Sequence, residues 1–384
     1  MVILYRLKLI SMDKIKILMV LGNTRMGGTQ AFILNVLRNI DLRKFQIDIA
    51  INFEDNVNKG IGDILKELGC NIYFWPYFKV YNYIQFRTFW KKFFEEHHYD
   101  IVHGHSTNSA SLYLKCAKEA GCVTVAHCHS TGYRGNKIQQ LFKQHFAKGV
   151  GTVADYWFAC SDNAALKLFG EMYKTYPRYF EMPNAINVDY YRYDENIAKR
   201  IRYKIGVNDD EMLCGHIGTF SAPKNHSFLL DVFAEVLKQQ PKSRLVCCGA
   251  GALRLSVEEK AKAMGILDRI IFPGVVNNAN EYLMAMDVLV FPSVFEGFGI
   301  AILEAEAAGT QVVMSDVIPY DVDLTDLVHR HSLNDSPAEW ARTICNLPKV
   351  GRKAYNEPVA KSKYNMRTSI RLISSLYEEM VSKK

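Results

Sequence analysis

The chain has 384 residues, is 49% hydrophobic and 23% charged, and carries a formal net charge of +7. That length exceeds one ordinary core and predicts two soluble globular domains of about 150–200 residues each. The absence of any run of about 18 apolar residues excludes a membrane-spanning helix. Lys and Arg are too dispersed for a nucleic-acid footprint, which sets nucleic acid aside as a partner. A modest positive balance suits an anionic partner such as a nucleotide diphosphate or a membrane surface. The nine cysteines are odd in number and mostly sit inside apolar segments, as reduced thiols do in the cytoplasm.

In chain order, MVILYRLKLIS lacks a clean apolar region and a cleavage site, so no signal peptide is expected, and Met12 is an alternative start. Strands are expected at 15–22, 47–53, 71–76, 101–105, 123–130 and 156–162. Helical patterns such as TQAFILNVLRNI and SLYLKCAKEAG lie between them. Alternation of this kind predicts a parallel sheet covered by helices on both faces. The polar stretch 191–206 reads as a linker, and the alternation restarts at 212 with MLCGHIGTF. RLVCCGAG, IIFPGV, VLVFPSV and QVVMSD continue it as strands, and TSIRLISSLYEEMVSKK closes the chain as a surface helix. The expected division is 1–194 and 195–365, with 366–384 as the final helix.

The segment FPSVFEGFGIAILEAEAAGTQVVMSD carries two carboxylates, Glu296 and Glu304, with seven residues between them. The first falls in a Gly-rich strand-to-helix loop. The second falls about one and a half turns into the helix. Backbone N–H groups and a helix N-terminus then meet at the C-terminal edge of a parallel sheet, where open α/β sheets bind ligands.

This Glu-x7-Glu pattern resembles the signature of GT4-like retaining glycosyltransferases, which have the GT-B fold. GHIGTFSAPKNHSFLLDVFAEVL, RLVCCGAG, DRIIFPGVVNNANEYLMAMDVLVFPS and MPNAINVDYY resemble the same family, in order, over most of residues 15–320. DLTDLVHRHSL is similar to its exopolysaccharide and capsule branch. The resemblance implies two doubly wound Rossmann-like domains facing across a cleft. The first would bind acceptor and the second sugar nucleotide, the final helix packing back on the first, with domain closure assembling the site.

The site residues follow position by position from the resemblance. Lys224 matches the lysine that contacts the donor diphosphate. Thr219 stands where the family pattern Gly-Arg-Phe/Leu has its arginine, so this chain offers one hydroxyl in place of a charged fork. Glu304 would accept the ribose hydroxyls and Glu296 would face the donor sugar, while Glu306 points elsewhere. Gly297, Phe298, Gly299 and Ile300 would offer backbone N–H groups, and Gly249, Gly274 and Val276 would contact the nucleotide. Gly27 and Gly28 resemble the first domain's glycine loop near phosphate or acceptor. His129 matches that domain's active-site histidine, with His127 second, and His103 and His105 read as packing or acceptor-side residues. With the catalytic set Glu296, His129 and Lys224, the implied reaction moves a hexosyl unit, with retention, from a UDP-sugar to a saccharide or lipid-linked acceptor. GDP is the alternative base.

The family needs no metal or cofactor, so none is expected. Two rival readings stand beside this one. The pairs in IVHGHS and VAHCHS put two histidines at i and i+2 on one strand face, with Cys128 between two of them, a pattern that also fits a zinc enzyme. A non-catalytic GT-B subunit is the reading that Thr219 favours. The stretch 73–98 interleaves aromatics with Lys and Arg; it is either a membrane-interface contact that places the protein peripherally on the inner face of the cell membrane, or an aromatic core helix.

Overall fold

The alternating segments fold into two α/β units in the computed structural model, which describes residues 14–24, 27–52, 60–129 and 149–383. One unit comprises Met1–Asn184 with Arg367–Lys384 and the other Ala185–Met366. The stretch 1–11, Met12, Phe53 and Ser130 lie outside the described residues.

The first unit is a sheet of seven strands: β1 (Ile15–Val20), β2 (Phe45–Asn52), β3 (Ile72–Trp75), β4 (Ile101–Gly104), β5 (Val123–Cys128), β6 (Tyr156–Ala159) and β7 (Tyr179–Glu181). Their order is β3-β2-β1-β4-β5-β6-β7, with every neighbour parallel. Alternate residues feed two cores, as a sheet covered on both faces requires. Leu18, Val102, Ala126 and Trp157 join one; Ile17, Met19, Ile101, Val125 and Phe158 join the other.

The second unit has six parallel strands: β8 (Leu213–Ile217), β9 (Arg244–Cys248), β10 (Ile270–Gly274), β11 (Val288–Phe291), β12 (Gln311–Ser315) and β13 (Val328–His331). Their order is β10-β9-β8-β11-β12-β13. Strand succession therefore reverses between β8 and β11, the position at which doubly wound sheets open a crevice for ligand. The first sheet reverses likewise between β1 and β4.

The division follows Asn184 rather than residue 194, and the polar stretch 191–206 is not a linker. Asp194 accepts hydrogen bonds from the backbone N–H groups of Asn196 and Ile197 and starts the helix Glu195–Lys204. That helix buries Ala198 and Ile201 in the second core. Its Arg202 is also buried and donates to the carbonyls of Ala285, Asn208 and Glu211.

The final helix, Met366–Ser382, places Ile373, Leu376, Tyr377 and Met380 in the first unit's core beside Ile17, Met19 and Phe45. The aromatic stretch 73–98 divides in two. Phe86, Trp90, Phe93 and Phe94 form the buried stripe of the helix Tyr83–Glu96, while Tyr81 and Ile84 stay 84% and 77% exposed. Among the described residues no helix is long and apolar enough to cross a membrane.

Candidate active site

In the second unit, two loops meet where the strand order reverses. Strand β8 runs into Gly218-Thr219-Phe220, and a short 3-10 turn, Ala222–Lys224, leads to the helix His226–Gln239. Strand β11 ends at Phe291, and the loop after it leads to the helix Ile300–Ala307. The loops are tied twice. The Val294 N–H donates to the carbonyl of Pro223 at 2.8 Å. The Lys224 ammonium donates to Glu296 Oε1 at 2.5 Å.

Glu296 Oε1 also accepts from the Ser293 hydroxyl at 2.9 Å, and Lys224 Nζ lies 4.4 Å from the centroid of the Phe291 ring. With side-chain exposures of 20% and 13%, this ion pair is partly withdrawn from water, where a charge pair acts more strongly than at the surface. An ammonium has three donors, so one bond to Glu296 leaves capacity for an anion.

Glycines permit this close packing. A Cβ on Gly218 would lie 3.1 Å from His216 Nε2 and 3.2 Å from Lys224 Cε. Gly249, in the loop after β9, would place a Cβ 2.0 Å from the Gly218 carbonyl oxygen. Gly299, at φ 93°, caps the helix Ile300–Ala307 without a side chain, so the first N–H groups of that helix meet no capping oxygen from its own N-cap. Gly297 and Thr219 are exposed, and Phe298, Ile300 and Val276 are half-buried. Gly274 closes β10 at φ 79°, and its carbonyl accepts from the Gly249 N–H.

Glu304 lies further along the helix, and its Oε1 accepts from the Tyr191 hydroxyl at 2.7 Å. Burial raises its pKa to about 7, against the lowering effect of that bond. Sequence reasoning missed Tyr191 and Ser293; the only sequence signal for Tyr191 was its place in the MPNAINVDYY segment. Glu306 turns the other way into the interior. Its Oε1 accepts from the N–H groups of Leu324 and Thr325 and from the Thr325 hydroxyl, and burial raises it to about 7 as well.

In the first unit, Gly27 caps the helix Gly28–Asn39 that follows β1, and both glycines are exposed. A Cβ on Gly28 would meet Asn184 Nδ2 at 3.2 Å. The four histidines lie at the ends of β4 and β5, where the pairing His103↔Val125 sets 105 beside 127 on one sheet face. His103 Nδ1 is 2.6 Å from the Tyr377 hydroxyl, and His103 Nε2 is 3.2 Å from His127 Nδ1. His105 Nδ1 is 2.8 Å from His129 Nε2.

Phe32 packs against three of these rings. Burial holds all four well below the ordinary imidazole range, His103 and His129 at about 3. They are therefore neutral at physiological pH. Cys128 does not join them; its side chain belongs to the core on the opposite sheet face.

Two family models match the chain: "Glycosyltransferase Family 4" over residues 26–189 and "Glycosyl transferases group 1" over residues 211–349. The EpsF protein of Bacillus subtilis (strain 168), which bears the name of a glycosyltransferase, is 27% identical over 370 residues, covering 94% of this chain and 96% of its own. The UDP-Gal:alpha-D-GlcNAc-diphosphoundecaprenol alpha-1,3-galactosyltransferase of Escherichia coli is 24% identical over 236 residues, 59% of this chain and 60% of its own. Among solved structures, HepE of Anabaena in complex with UDP superposes with a TM-score of 0.76 at 15% identity, covering 95% of this chain and 100% of HepE. A further HepE structure, in complex with UDP-glucose, gives 0.71 at 15% identity, covering 95% of this chain and 99% of that one.

Proposed function

The chain belongs to the GT4-like glycosyltransferases of the GT-B fold, and from that premise we propose that it moves a hexosyl unit from a UDP-sugar to a lipid-linked or oligosaccharide acceptor in exopolysaccharide or capsule assembly, with retention at the anomeric carbon. The observation that carries this reading is the Lys224–Glu296 pair at the strand-order reversal, beside a glycine-capped helix N-terminus. The donor diphosphate carries about two negative charges. Lys224 and the first N–H groups of the helix Ile300–Ala307 would stabilise them as the anomeric bond breaks. The bonds from Lys224 and Ser293 both go to Oε1 of Glu296, so Oε2 would serve a donor hydroxyl. Glu304 would hold the ribose, and Gly249, Gly274 and Val276 the rest of the nucleotide.

In a front-face reaction the bond from the anomeric carbon to the leaving phosphate oxygen breaks. The acceptor oxygen bonds to that carbon on the same face, and its proton passes to the leaving phosphate. Positioning and electrostatics then supply most of the rate, with no metal at the diphosphate. On the first unit, Gly27 and Gly28 are assigned to the donor phosphate or the acceptor, and His129 to a sugar hydroxyl or the acceptor. The exposed Tyr81 and Ile84 would give a lipid-linked acceptor's membrane a peripheral contact at the cytoplasmic face. UDP is supported by the ligands named for HepE and a lipid-linked acceptor by the name of the E. coli relative.

The test is a thermal-shift panel of UDP-, GDP-, ADP- and dTDP-sugars with and without EDTA, because a ligand that binds only the folded state raises the melting temperature. A UDP-sugar shift that survives EDTA is expected. Glu296→Gln should then keep the shift and lose turnover by about 100-fold or more. A shift with GDP-sugars alone would replace the donor. Thr219 is exposed and uncharged where the family carries arginine, which favours a non-catalytic subunit as the second reading. No shift with any donor, and polymer output indifferent to Glu296→Gln, would establish that reading instead.

A further inference from the structure

The four histidines of the first unit are arranged more specifically than core packing requires. In His103 and His105 one ring nitrogen is committed to an outer partner. Nδ1 of His103 meets the Tyr377 hydroxyl, and Nδ1 of His105 meets His129 Nε2. That leaves Nε2 of each ring turned to other use. Nε2 of His105 is buried and has no hydrogen-bond partner, the residue being 7% exposed. Buried imidazole nitrogens without partners carry a desolvation cost that native structures normally offset. One nitrogen from each of His103, His105 and His127 falls within 4.8 Å of the others.

We propose that His103, His105 and His127 form a binding site for one divalent ion of the zinc class, with Tyr377 as the outer partner that orients His103. Three imidazoles suit such an ion. Zinc–nitrogen bonds of about 2.0–2.1 Å place tetrahedral ligand atoms about 3.3 Å apart. The His103 Nε2 to His127 Nδ1 separation is already 3.2 Å, so small ring rotations that bring His105 inward complete the set. Ligating histidines almost always bond an outer group through the other nitrogen, and His103 and His105 do. The ion would tie β4 to β5 and, through Tyr377, to the final helix, a structural role that touches the sugar-transfer residues proposed above only through His129 on His105.

The test uses the full chain, stripped with chelator and titrated with Co2+ and then Zn2+. One equivalent of Co2+ should bind with the visible absorption of a tetrahedral site, be displaced by Zn2+, and raise the melting temperature. His105→Asn and His127→Asn should abolish the absorption, and His329→Asn in the second unit should preserve it. Tyr377→Phe should retain the stoichiometry and weaken binding about 10-fold. X-ray absorption of the zinc-loaded wild type covers the case in which the histidine variants do not fold. Three nitrogen ligands and one water oxygen are expected there; sulfur from any of the free cysteines would overturn the site. So would the absence of stoichiometric Co2+ binding, or binding unchanged in both histidine variants.

Discussion

Glu304 and Glu306 are two residues apart on one helix, and the structure gives them different work. Glu304 meets one hydroxyl, from Tyr191, whereas Glu306 receives two backbone N–H groups and a hydroxyl from Leu324 and Thr325. Burial raises both from 4.5 to about 7. The sign of the pH effect follows. Below about 4.5 both groups are protonated whether folded or not, and they contribute nothing. Between 4.5 and about 7 the folded state holds more protons, so stability falls as pH rises, and the loss is complete above 7. The buried histidines, held below their ordinary range, titrate with the opposite sign, so the carboxylate is read by difference: the urea midpoint of Glu304→Gln relative to the wild type should rise between about pH 5 and about pH 8. An equal slope in the variant would refute the assignment. At this scale Glu296 and Glu304 were singled out by their spacing in a strand-to-helix segment and Lys224 by family resemblance; the fold brings Lys224 to Glu296 across 72 positions. Tyr191 was not singled out, because it is 113 positions from the carboxylate it binds, and only the fold brings them together.

Elements were legible wherever burial imposes a long apolar run, as in β1, β2, β5, β8 and β12. Strands β7 and β13 were missed because Tyr179–Glu181 and Val328–His331 are short and half-buried at the sheet edges, and the second of them is mostly polar. The helix Glu195–Lys204 was misread as a linker because its buried Arg202 satisfies carbonyls rather than adding an apolar mark. The loop after β9 makes a prediction of its own. Gly249 sits at φ 142° with a would-be Cβ 2.0 Å from the Gly218 carbonyl oxygen, whereas Gly265 sits at φ 69° with nothing within 4 Å. Gly265→Ala faces only the left-handed backbone cost, about 1–2 kcal/mol. Gly249→Ala must also push apart the two loops beside Lys224, so its cost should be on the order of 2–4 kcal/mol, with a loss of nucleotide affinity. Chemical denaturation of the two variants measures the difference; equal costs would mean that backbone crowding there is unimportant.

The path of the whole chain through its two units has an energetic consequence. The second unit is continuous, Ala185–Met366, and encloses its own two cores. The first is interrupted, since its final helix arrives after the entire second unit has been made. The apolar period of that helix was legible from TSIRLISSLYEEMVSKK, but a stripe does not specify the surface it covers; only family resemblance pointed to the first unit. There, Ile373, Leu376, Tyr377 and Met380 are 1%, 4%, 0% and 2% exposed. At about 1.5–3 kcal/mol for each buried side chain, they contribute roughly 6–12 kcal/mol, comparable with the whole stability of a domain at about 5–15 kcal/mol. Residues 185–366 expressed alone should therefore unfold cooperatively. Residues 14–184 alone should lack a cooperative transition and regain one when a peptide of residues 367–384 is added. The peptide carries Tyr377, so its docking also restores the hydroxyl that meets His103, and Tyr377→Phe in the peptide should weaken the rescue without abolishing it. A first-unit fragment that melts cooperatively without the peptide would show that the helix is an accessory to that core rather than part of it.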